Sequence, residues 1–205
     1  MFSFLILLLV NEIAAQSRYP VIFPPSVATA ASTSTAGAWY GNGTYSYAAS
    51  ASASTSLAAW RAFDNNTSTN WLSNTSYPSG NYNGSTSLLG HSGEWIQISI
   101  PVNITLSQFS IRCAPSASTL CPSNLVVAAS NSTSLTVWAI VSQQTGLNSW
   151  SSNPTTNFTV SSNSTFSTYR FIFKSANSQA GSTQIAISEV SLLGIERKLM
   201  HISVN

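Results

Sequence analysis

The stretch GEWIQISIP, residues 93–101, decides the architecture. Ile96, Ile98 and Ile100 fall on one side of an extended chain, and Trp95, Gln97 and Ser99 on the other. A two-residue apolar period is what a strand needs when one face enters a core. Outward from it, QFSIRC (108–113) aligns Phe109, Ile111 and Cys113, and YRFIFK (169–174) aligns Tyr169, Phe171 and Phe173. NLVVAAS (124–130) and TVWAIV (136–141) are more continuously apolar, as in strands covered on both faces. Between these runs lie clusters of Asn, Gly, Ser and Pro, the chemistry of turns. No segment sustains a helical period. Short strands with turn punctuation and no alternating helices predict an all-β, antiparallel β-sandwich.

The last run, QIAISEVSLLG (184–194), changes phase: Ile185 and Ile187 are followed by Val190 and Leu192. One extra residue at Ser188 or Glu189 predicts a β-bulge, and a bulge re-aims a side chain, here Glu189. AASASASTS (48–56) alternates Ala and Ser and reads either as a strand with tiny side chains or as a low-complexity linker. SLAAWRAF (56–63) supports a helical turn at most.

With 205 residues the chain is long enough for one domain with a full core. Only 6% of residues are charged, so polarity comes from hydroxyls and amides. The net charge is +2 and only Arg197 and Lys198 are adjacent basic residues, so no basic stripe exists to neutralise a phosphate backbone and nucleic acid is excluded as a partner. His91 and His201 are far apart, no Gly-x-Ser-x-Gly is present, and no close carboxylate pair is visible, which argues against an enzyme.

The N-terminus MFSFLILLLVNEIAAQS carries an apolar run over 2–10, well short of the roughly 20 residues that span a bilayer. It fits a secretory signal cleaved after Ala15, the alternative being an uncleaved apolar strand or short anchor. The expected organisation is a leader at 1–15, an extended Pro-containing segment at 16–25, a sandwich at 26–194 and a tail at 195–205. Cys113 and Cys121 enclose a short loop and are either a local disulfide, in an oxidising compartment, or a free buried pair. Asn-x-Ser/Thr sites begin at Asn42, Asn74, Asn83, Asn103, Asn131, Asn157 and Asn163, and also at Asn65 and Asn66. On a secretory route several of these are glycosylated surface positions, and the protein is secreted or sits on an extracellular surface.

AFDNNTSTNW (62–71) places Asp64 at the head of a polar turn. Leaving out leader and tail, the only other acidic residues are Glu94 and Glu189. A hard cation takes six to eight oxygens, roughly what a carboxylate pair and a hydroxyl- and amide-rich loop supply together. The competing reading is that Asp64 only caps its own turn.

In chain order, AFDNNTSTNW, GEWIQISIP, PSNLVVAASNS with TVWAIV, YRFIFKS and IAISEVSLLG resemble the discoidin-type, or coagulation-factor C-type, domains of the galactose-binding-like superfamily. The likeness covers about residues 26–194 and extends to versions found in structural proteins of large DNA viruses. It implies a jelly-roll sandwich and a structural calcium held by Asp64, Asn66, Thr69 and Glu189. Asn65 stands where the family has Gly, which Asn tolerates because it accepts positive φ. A glycan on Asn65 or Asn66 would compete with ligation. The resemblance also makes Trp71, Trp95 and Trp138 core positions.

Such domains bind glycans, lipid headgroups or other cell-surface ligands through loops at one end. Sugar rings need aromatic faces and a few oriented polar groups. The loop aromatics are Trp39, Tyr40, Tyr45 and Tyr47, then Tyr77 and Tyr82 with His91, and Trp150. The expected function is non-catalytic recognition, displayed in many copies on a cell or virion surface so that weak sites add by avidity. The alternative is a minor capsid-type structural protein whose loops contact other capsid or surface proteins.

Overall fold

The computed structural model describes residues 20–23, 29–31, 38–42, 45–52, 58–114, 120–131, 133–148, 150, 155–177 and 183–196, with side chains from residue 48 onward. The expected leader and most of the expected tail lie outside the described residues.

The strands are β1 (Pro20–Phe23), β2 (Thr29–Ala31), β3 (Ala38–Asn42), β4 (Tyr45–Ala51), β5 (Trp71–Leu72), β6 (Ser87–Leu88), β7 (His91–Ser92), β8 (Glu94–Cys113), β9 (Pro122–Ser130), β10 (Ala139–Gln144), β11 (Thr155–Thr159), β12 (Phe166–Ala176) and β13 (Ala186–Glu196). Every strand pair among the described residues is antiparallel. Helical structure among the described residues is confined to short 3-10 turns, among them Ala59–Ala62 and Pro78–Gly80.

β8 builds both layers. Its first half lies between β12 and β4, giving a layer ordered β10-β9-β12-β8-β4-β3-β2. Its second half lies between β11 and β13, and β13 in turn pairs with β5 and β1. Pro101 sits at the corner, between Ser99, the last residue paired to β4, and Ile104, where pairing to β13 ends. A proline has no N–H for the ladder, so the strand is free to fold over there. The core forms between the halves. The Phe109 ring packs on Phe158 at 4.8 Å and meets Phe171 of the facing layer edge-on at 5.5 Å. Trp71 stacks on Phe173 at 5.6 Å, and all four of Phe109, Phe171, Phe173 and Trp71 are fully buried. Each such ring contributes about 1.5–3 kcal/mol by leaving water.

The structure moves the expected sandwich boundaries outward. Pro20–Phe23, assigned to an extended lead-in, pairs with Leu192–Ile195 as an edge strand, where proline is tolerated. Ile195 and Glu196, assigned to the tail, belong to β13. The Ala/Ser run is a strand as far as Ala51, opposite Ile96.

Candidate functional site

The Asp64 turn is built by its own side chains. Asp64 accepts the Asn66 N–H at 2.9 Å on Oδ1 and the Thr69 hydroxyl at 2.6 Å on Oδ2. Asn66 Oδ1 accepts the Ser68 N–H at 3.0 Å, and the Asn66 carbonyl takes the Thr69 N–H at 3.1 Å. Asn65 has φ 54°, the left-handed conformation in which Asn replaces Gly at small cost.

Glu189 reaches this turn because β13 slips register against β8 between Ile187 and Glu189. The extra residue, Ser188, is buried and donates its hydroxyl to the Cys113 carbonyl at 2.9 Å. The Glu189 carboxylate is buried and neither oxygen closes a hydrogen bond, although the backbone N–H groups of Asn65, Val190 and Asn66 lie near enough to favour its charge in part. Burial first, and the Asp64 charge second, push its pKa up to about 9. Burial also raises Asp64, against the Thr69 and Asn66 hydrogen bonds. Two close carboxylates, one of them buried without a hydrogen bond, beside hydroxyl and carbonyl oxygens, suit a hard cation. No cluster of three His, Cys, Asp or Glu that could hold a metal ion occurs among the described residues.

At the end where β12 finishes, several loops are tied together. Cys113 and Cys121 are paired as a disulfide, with Cα atoms 5.5 Å apart. The Asn177 N–H donates to the Cys121 carbonyl at 2.8 Å, and the loop after Leu72 is held by Tyr77 N–H to Thr183 O at 3.0 Å. Tyr77, expected to face a ligand, is instead fully buried. Its hydroxyl donates to Phe173 O at 2.8 Å and accepts the Glu94 N–H at 3.0 Å. A phenol that reaches two backbone partners can be buried at little cost, and this one then offers no face to a sugar. Trp150 is likewise buried, its Nε1–H donating to Pro122 O at 2.8 Å.

Tyr82 stays half-exposed, with its ring 5.4 Å from Tyr77 and its hydroxyl accepting the Thr86 N–H at 3.1 Å. His91 is half-exposed in the β6–β7 hairpin. Trp39, Tyr40 and Tyr45 lie on β3 and β4, with Tyr40 opposite Tyr47, while their side chains lie outside what is described. Asn74, Asn83, Asn103, Asn157 and Asn163 are exposed. Asn131 is exposed too, but its amide nitrogen donates to Thr165 O at 2.6 Å. The side chain of Asn42 lies outside the described set.

Two arrangements were not visible as such in the sequence. Glu94 is buried, its carboxylate accepting hydroxyls from Ser76, at 3.1 Å, and Ser52. Trp95 and Trp138, expected in the core, are half-exposed on the outer face of the larger layer, where the Arg170 guanidinium carbon sits 3.9 Å and 4.5 Å from their ring centres. The parity of GEWIQISIP already puts Trp95 opposite the isoleucines; the core assignment came from the resemblance.

No protein-family model and no curated protein matches the sequence. Solved structures do match. The family 32 carbohydrate-binding module of Clostridium perfringens NanJ, determined with galactose, superposes with TM-score 0.52 at 19% identity, over 72% of this chain and 93% of that one. A family 32 module from a family 31 glycoside hydrolase of C. perfringens gives TM-score 0.55 at 12% identity, over 71% and 90%. A chitosan-binding module from a Paenibacillus sp. IK-5 chitosanase/glucanase gives 0.52 at 18%, over 71% and 93%. The fold is a galactose-binding-like β-sandwich, the architecture of family 32 carbohydrate-binding modules. These matches lend the resemblance to viral structural proteins no support.

Proposed function

We propose that the protein is a non-catalytic carbohydrate-binding module that recognises glycans through the loops at one end of its sandwich. The observation that carries this reading is the galactose-binding-like sandwich itself, with a half-exposed aromatic, Tyr82, on a loop that Tyr77 and the disulfide end hold in place. A pre-positioned loop loses little freedom on binding, which matters for a shallow site with few contacts. His91, Trp39, Tyr40 and Tyr45 remain the other proposed contacts. Calcium joining the Asp64 turn to Glu189 is part of the proposal; Asp64 and Glu189 would supply carboxylate oxygens, with Thr69 and Asn66 as neutral partners. Its role is structural, fastening the turn to β13. A location outside the cell, with display on a cell or virion surface, is supported by the disulfide and by the exposed Asn-x-Ser/Thr sites.

The test is a glycan array probed with multivalent protein, followed by titration of the best neutral sugar. Tyr82→Ala is expected to weaken binding several-fold without lowering the melting temperature by more than a few degrees. No binding anywhere on the array overturns the proposal and favours a role in capsid-type assembly.

A further inference from the structure

The outer face of the larger layer carries a second surface, away from the Asp64 turn and bordered by Leu88 of the β6–β7 hairpin. Register defines it. Arg170 stands opposite Gln97 of β8 and Ala128 of β9, and Ser50 of β4 continues this row beyond Gln97. Ile172 stands opposite Trp95 and Val126, with Gln143 of β10 continuing that row. Ser50 and Ala128 keep the floor low, while Trp95 and Trp138 flank the guanidinium. Arg170 is also held by Gln97 Oε1, which accepts from Nε at 3.0 Å and Nη2 at 2.8 Å. Stacking and hydrogen bonding together fix the orientation of an otherwise mobile charge.

Among the described residues that charge has no anionic counterpart on the face. The described acidic residues are Asp64 in its turn, Glu94 with its serines, Glu189 beside the turn, and Glu196 at the end of β13. Lys174, exposed at the register shift of β12 between Phe173 and Ser175 and four residues beyond Arg170, adds a second cation beside this face. In an extended strand four residues span about 13 Å, more than one sugar ring, so the spacing suits a chain and not a single residue. No Asn-x-Ser/Thr site falls within β4, β9, β10, β12 or residues 94–100 of β8, the stretches that carry these side chains.

We propose that this face binds an acidic polysaccharide, a chain of carboxylated sugars. Arg170 and Lys174 pair with carboxylates on separate rings, Trp95 and Trp138 supply aromatic contact, and Ser50 and Gln143 supply hydroxyl and amide partners. Ser50 and Gln143 place their hydroxyl and amide groups at the ends of an apolar floor made by Val126, Ala128 and Ile172. Exposed Val137 and Leu89 are what an acidic protein segment would use in its place. The proposal does not rest on the loop-end reading, because its probe is anionic and its signals are the Trp95 and Trp138 indoles.

Isotope-labelled protein is titrated with a short oligouronide and with the same oligomer after carboxyl reduction. The acidic oligomer is expected to shift the Trp95 and Trp138 indole N–H signals, with affinity falling as salt is raised, and the reduced one to leave them unmoved. Arg170→Gln is expected to abolish binding. Because that change also removes the stack, Lys174→Gln, at an exposed position, carries the decision: it should weaken the oligouronide several-fold with wild-type melting. Equal response to the reduced oligomer, shifts confined to the loops, no binding, or an unaffected Lys174→Gln overturns the proposal. A stronger response to poly-glutamate than to oligouronide also overturns it and assigns the face to a protein.

Discussion

Gly93 shows how tightly single positions are specified. A Cβ there would stand 2.2 Å from the Phe173 carbonyl oxygen, which also accepts the Tyr77 hydroxyl. Because the obstacle is backbone, Gly93→Ala is expected to cost about 2–3 kcal/mol, within the range of overpacking, measured by denaturant unfolding. Glu189 is the other demanding position. Its ordinary value of 4.5 is raised to about 9 in the fold, by burial and then by Asp64. The unfolded chain therefore releases this proton near 4.5 while the folded chain holds it until near 9. This group's contribution to the stability of metal-free protein is complete below pH 4.5 and is lost as pH rises through 9. In the proposed site calcium would take the place of the proton, so melting temperature at pH 8 is expected to rise with calcium and fall with chelator, and Glu189→Gln to remove both the pH slope and the calcium response. Coincident melts with and without calcium would remove the ion from this site.

Among the elements, the β6–β7 hairpin is held at a cost. Its turn residues Leu89 and Gly90 have φ 51° and 77°, so a leucine occupies the left-handed region. Leu88 packs against the outer cluster around Trp95 and Trp138, whereas Leu89 is 52% exposed. Leu89→Asn relieves the conformation without touching the packing and is expected to stabilise by about 1 kcal/mol, read from the denaturation midpoint. β13 shows what an element reveals in advance: the phase change after Ile187 announced the bulge, because a two-residue period cannot skip without one. β1 was not legible, since three prolines in RYPVIFPPS read as a lead-in and only a partner strand makes four of its residues a sheet edge.

For the whole molecule, the disulfide ties the second half of β8 to β9 and so joins the two layers at one end. With a sequence separation of 8 it restricts the unfolded chain modestly, and reduction is expected to lower unfolding free energy by about 2.5 kcal/mol without dissolving the sandwich, measured by urea unfolding with and without reductant. Strand period, turn chemistry and the scarcity of charge determined by themselves that this chain is an antiparallel sandwich with Ile96, Ile98, Phe109, Phe171 and Phe173 inside. They did so because alternation is local and survives any arrangement of neighbours. Only the tertiary structure decided that Tyr77 and Trp150 are buried and that Trp95 and Trp138 meet across Arg170. It alone left both Glu189 oxygens without a hydrogen bond beside Asp64. Whether an aromatic ring or a carboxylate meets protein or water depends on segments tens of residues away in the chain, and no local pattern encodes that meeting.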